Sequence, residues 1–148
     1  MVTENENRVW FSIGAGGAFL AVAAGAFGAH ALRGRIPLES IIAFETAVRY
    51  QMYHALAILG ICGSANFLRP RSRRLSMVSL LLGVVLFSGS LYAISLAGWR
   101  DVGFLTPIGG GFLLLGWLFA IGAAVAPGGV RVSHAPLESD REGKPENA

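Results

Sequence analysis

The chain has 148 residues, room for one domain. It is 53% hydrophobic and 14% charged, against about 25% charged in a soluble domain. With a mean hydropathy of +0.56, this composition argues against a water-soluble globule. The net charge of +3 is small, and no soluble basic domain is present to grip nucleic acid.

The charges fall between long gaps. Val9–Leu32, Tyr50–Leu68, Leu75–Trp99 and Val102–Val130 contain no Asp, Glu, Lys or Arg. Each run exceeds the roughly 18 apolar residues that a spanning helix needs. The expected fold class is all-α, an integral membrane four-helix bundle. Residues 1–8 form a polar N-terminal segment, residues 9–130 the four-span domain and residues 131–148 a disordered polar tail. The first run is too long for a signal peptide's apolar region, and the residues before it are not basic, so it is read as a retained span.

Span one is dense in Gly and Ala four apart, as in Gly14/Ala18 and Gly17/Ala21/Gly25/Ala29. Such residues let helix backbones approach, first of all within the same chain. Span one ends at His30, and Arg33-Gly34-Arg35-Ile36-Pro37 reads as a turn. A helix from about Leu38 to about Phe67 follows. Glu45 and Arg49 stand at i and i+4 with the acid first, the order that favours an ion pair. Glu45, Arg49, Met52 and Tyr53 share a face, while Tyr50, Gln51 and His54 point elsewhere. Cys62 is the single cysteine and reads as a small core residue.

Arg69, Arg71, Arg73 and Arg74 crowd the link from span two to span three. With Arg8, Arg131, Arg141 and Lys144 they give eight basic residues on one side, against Arg33, Arg35 and Arg100 on the other. Both termini are therefore expected in the cytoplasm, in a plasma (cytoplasmic) membrane. Ser88, Ser90 and Tyr92 occupy the outer half of span three, and Trp99 and Arg100 mark its interface. In span four, Thr106 is a possible helix cap before Pro107, and Gly109-Gly110-Gly111 suits close packing.

These segments resemble one family. Gly25 to His30, then Phe44-Glu45-Thr46 with Arg49 to Leu56, then Leu86 to Tyr92, then Thr106 to Gly110 with Gly116-Trp117, are similar to the signatures of the YgdD/YwdK-type small membrane proteins. Their eukaryotic relative is transmembrane protein 256. The resemblance covers about residues 9 to 126. It implies four spans in a bacterial cytoplasmic or mitochondrial inner membrane, and it implies no reaction.

On the expected topology His30, Glu45, Arg49, Tyr53, His54, Ser88, Ser90, Tyr92 and Thr106 gather in the outer half of the bundle. They make either a binding or proton-handling pocket or a set of polar fasteners between helices. His30, His54 and Glu45 lack metal-ligand spacing, so no metal or other cofactor is expected. Gly89 lies between the serines rather than around one, unlike a hydrolase elbow, and no enzyme is expected. The favoured reading is a structural or accessory component, with lipid, other membrane subunits or a second copy as partners. A small transporter or channel is the alternative, and the absence of an inverted repeat counts against it.

Overall fold

The computed structural model describes residues 4–64 and 68–125. The expected end of helix two near Phe67 and the tail from residue 126 lie outside them. Four long helices are present: α1 (Glu4–Phe27), α2 (Leu38–Gly63), α3 (Pro70–Ala97) and α4 (Leu105–Val125). A π-helix, Gly28–Leu32, prolongs α1, and a 3₁₀ turn, Arg100–Phe104, leads directly into α4. The close helix pairs are consecutive, α1 with α2, α2 with α3 and, most extensively, α3 with α4. The fold is an all-α membrane bundle.

The boundaries follow local chemistry. Gly34 and Gly98 take positive φ angles, +79° and +68°, where a side chain would be strained. Gly34 turns the chain between Arg33 and Arg35, and Gly98 stops α3 with its N–H on the Ile94 carbonyl at 3.1 Å. Pro37 and Pro70 stand at the starts of α2 and α3, where a missing N–H costs nothing. Glu4 to Arg8 form the first turns of α1, so the polar segment is helical from Glu4. Thr106 does not cap α4. The helix has already begun at Leu105, and the Thr106 hydroxyl pairs with Ser90 instead.

Among the described residues three segments are long and apolar enough to cross a membrane by themselves: Glu4–Leu32, Pro70–Ala97 and Arg100–Val125. The fourth long helix, α2, falls short of that mark within its described residues, and the expected second run, Tyr50–Leu68, extends through residues 65–67, outside them. The described α2 stops at Gly63, so its charge-free part is Tyr50–Gly63. That part covers about 21 Å at 1.5 Å per residue, short of a hydrocarbon core about 30 Å thick. Gln51 and His54 lower its hydropathy further.

Two apolar clusters fill the interior. One joins Trp10, Ile58, Ile61, Cys62, Met77, Leu80 and Leu113 from all four helices. The other joins Leu32, Ile41 and Phe44 at the opposite end. Polar side chains of α2 and α3 lie between them.

Glycine sets the closest approaches. The small residues of α1 pack within the chain, with Gly14 under Leu59, Gly17 beside Ala55 and Gly28 under the Phe44 ring. Gly109 meets the backbone of Leu86 and Phe87, and Gly116 sits under Leu80. A methyl at Gly109 would strike main chain, which cannot rotate away. Gly109→Ala is expected to lower unfolding stability in detergent by about 1–3 kcal/mol. Gly111→Ala, with nothing within 4 Å of the new methyl, should leave stability unchanged or raise it. Thermal unfolding of both variants checks this.

Candidate functional site: a polar layer between the helices

The interior polar layer is built from α2 outward. Gln51 faces two neighbours. Its Nε2 donates to the Gly17 carbonyl of α1 at 2.9 Å, and its Oε1 accepts from the Tyr92 hydroxyl of α3 at 3.0 Å. The Tyr92 ring then lies on Phe44, centroids 5.1 Å apart. Close by, Ser88 is buried and donates to the Ala47 carbonyl at 2.9 Å. Between α3 and α4, Ser90 and Thr106 share a 2.7 Å hydrogen bond, and buried Ser76 donates to the Gly116 carbonyl at 2.7 Å.

His54 is buried and directs Nδ1 at the Tyr50 carbonyl, 2.7 Å away. A carbonyl only accepts, so Nδ1 carries a proton in this contact. The imidazole stacks on Tyr50 and meets Trp117 of α4 edge-on at 6.3 Å.

The nine residues picked out by sequence therefore divide. His54, Ser88, Ser90, Tyr92 and Thr106 are buried or half-buried in helix contacts. His30, Glu45, Arg49 and Tyr53 are exposed. They do not converge on one pocket, because the helical face carrying Glu45, Arg49 and Tyr53 turns outward. The expected Glu45–Arg49 ion pair is absent: the guanidinium reaches back one turn to the Thr46 hydroxyl at 3.3 Å. The short reach to Thr46 is made with both side chains at the surface, where an ion pair gains little over hydration. Glu45 instead borders a cleft beside Arg33. No three His, Cys, Asp or Glu side chains come together as a metal set among the described residues.

A second polar cluster, at the arginine-rich end, was not anticipated. Arg73 is 1% exposed. Its Nη1 donates to the Cys62 carbonyl at 3.2 Å and its Nη2 to Asn7 Oδ1 at 3.0 Å. The Cys62 thiol donates in turn to the Asn7 carbonyl at 3.3 Å. These bonds tie the start of α1 to the end of α2 and the start of α3. The Arg73 Nε is buried without a hydrogen-bond partner. Arg73 is thus an internal brace. Arg74, exposed, reaches Glu6 at 3.6 Å in a surface pair. The signal for Arg73 was periodicity: Arg73, Ser76, Met77, Leu80 and Gly83 share one inward face.

These features define a multi-pass α-helical membrane protein held by interhelical polar bonds and glycine contacts. The chain belongs to the family described as "Protein of unknown function (DUF423)", whose model matches residues 24–110. It is similar to the UPF0382 membrane protein YwdK of Bacillus subtilis, 38% identical over 123 residues that cover 80% of this chain and 97% of the relative. It is similar too to the UPF0382 inner membrane protein YgdD of Escherichia coli, 39% identical over 122 residues, 78% of this chain and 88% of that one. A UPF0382 membrane protein of Haemophilus influenzae is 43% identical over 101 residues, 68% of this chain and 80% of its own length. No solved structure matches the chain.

Removing the buried brace and removing an exposed neighbour should differ sharply. Arg73→Ala loses two interhelical hydrogen bonds and buried packing, and is expected to cost at least about 2 kcal/mol of stability. Arg71→Ala, at an exposed site, should stay within about 0.5 kcal/mol. Detergent unfolding curves of the two variants give the comparison.

Proposed function

We propose that the chain is a non-enzymatic structural or accessory component of a cytoplasmic membrane, with both termini and the arginine-rich link on the cytoplasmic side. The observation that carries this reading is where the interior polar groups point. Ser76, Ser88, Ser90, Thr106, Tyr92 and Gln51 each bond a neighbouring helix, leaving them fastened rather than offered to a solute. A transport path or a catalytic set would need several such groups to face a shared opening.

The outward surfaces fit the same reading. Phe19, Leu20 and Val22 of α1 and Leu114, Leu118 and Ile121 of α4 are all more than half exposed. They offer lipid or another membrane subunit a broad apolar contact. The excess of arginine at one end supports the orientation.

Native purification from membranes of the source cell tests the proposal. The expected result is co-purification with one or more defined membrane subunits, in fixed ratio, with no solute flux when the chain alone is placed in liposomes. A lone homo-oligomer that conducts solute would contradict it. Labelling of single cysteines by a membrane-impermeant reagent checks the orientation: a cysteine placed at Arg100 should react in intact cells and one at Arg71 should not.

A further inference from the structure

At the end of the molecule that carries the α1–α2 link, a cleft of about 580 Å³ opens to the surface. Ile36, Leu38, Ile41 and Ile42 give it apolar walls, and Arg33 and Glu45 contribute one charge of each sign. The two ionic side chains are exposed and form no ion pair with each other. Leu38 and Ile42, beside them, are 74% and 53% exposed. The helix leading into the cleft is wound as a π-helix up to Leu32, a rare geometry often found at functional positions. Gly34 then reverses the chain, so that Arg33 and the first turns of α2 line one opening.

The cleft therefore asks for a ligand with three parts: an anion for Arg33, a hydrogen-bonding cation for Glu45 and hydrocarbon for Leu38 and Ile42. We propose that it seats the headgroup of a zwitterionic phospholipid bearing a primary ammonium. The phosphate rests against Arg33, the ammonium donates to the Glu45 carboxylate, and the upper part of an acyl chain lies along Leu38 and Ile42. Charge complementarity selects this occupant. An anionic lipid leaves Glu45 without a cation. A choline headgroup supplies positive charge but no N–H to donate. A soluble headgroup leaves the exposed leucine and isoleucine uncovered. The volume lies within the roughly 300–1,000 Å³ usual for small-molecule sites, enough for a headgroup and a few methylenes while the tails stay in the bilayer. This inference is independent of the scaffold reading above.

Native mass spectrometry of the full chain, with ethanolamine, choline and glycerol phospholipids of identical acyl chains, tests it. The ethanolamine lipid is expected to be retained about tenfold more tightly than the choline lipid, the effect of one charge-assisted hydrogen bond near the surface. Glu45→Gln should erase that ratio, and Arg33→Gln should weaken both lipids alike. Glu39→Gln, exposed on the same helix but outside the cleft, should change nothing. Equal retention of ethanolamine and choline lipids by the unaltered chain would overturn the proposal, as would a ratio that survives Glu45→Gln or falls equally in Glu39→Gln. Competition by glycerophosphoethanolamine at similar concentration would place a soluble ligand there instead, and would also overturn it. The ratio in the unaltered chain decides the matter even where a variant fails to fold.

Discussion

A carboxamide in hydrocarbon must find its hydrogen bonds inside the protein, because lipid offers none. Gln51 meets that requirement in both directions, donating to the main chain of α1 and accepting from the hydroxyl of α3. One side chain on α2 thus fixes the rotation of that helix against two neighbours. Ser88, bonded to the Ala47 carbonyl one turn away, fixes the same pair of helices from the α3 side. The rest of the bundle is consistent with this register. Phe44 turns to Tyr92 and Gly28, and Ile58 and Ile61 turn to the larger apolar cluster.

The arrangement accounts for the odd helix out. Within its described residues α2 is not apolar enough to count as a self-sufficient span, yet it packs on both sides, against α1 and against α3. Its polar residues divide into an inward set, Gln51 and His54, satisfied by protein, and an outward set, Glu45, Arg49 and Tyr53, towards the α1–α2 link. At its other end, Arg73 and Asn7 secure Cys62. α3 and α4 depend less on such bonds. Gly83, Gly109 and Gly116 let them touch along their length, with Ser76 and Ser90 as added fasteners.

Much of this was legible in the residues. Runs without charge located the helices, and Gly34 and Pro37 located the turn between the first two, because backbone chemistry is local; Gly98, which stops α3, stood out only through its backbone angle. Helical phase grouped Glu45 with Arg49 and Tyr53 on one face and Gln51 with His54 on another. What phase alone does not tell is which face turns inward. In water the charged face would be outside by default, but in lipid an ionised pair is expected to seek protein, and that expectation put the wrong face inside. The outcome depends on depth: near the headgroups an exposed Glu and Arg are hydrated and need no protein partner. Arg73 escaped notice because it stands among three other arginines, and its burial depends on Asn7, more than sixty residues earlier in the sequence. The π-helix before Arg33 has no sequence signature of its own beyond Gly28, which makes room for Phe44.

If α2 is held in place by bonds to its flanking helices, Gln51 and Tyr92 act as a unit. A double-mutant cycle with Gln51→Leu and Tyr92→Phe, followed by unfolding in bicelles, measures this most directly. The account predicts that the two losses fall short of additivity by about 0.6 kcal/mol, the average for polar contacts between membrane helices, and by no more than about 1.7. Strict additivity, with both single variants as stable as the parent, would contradict it.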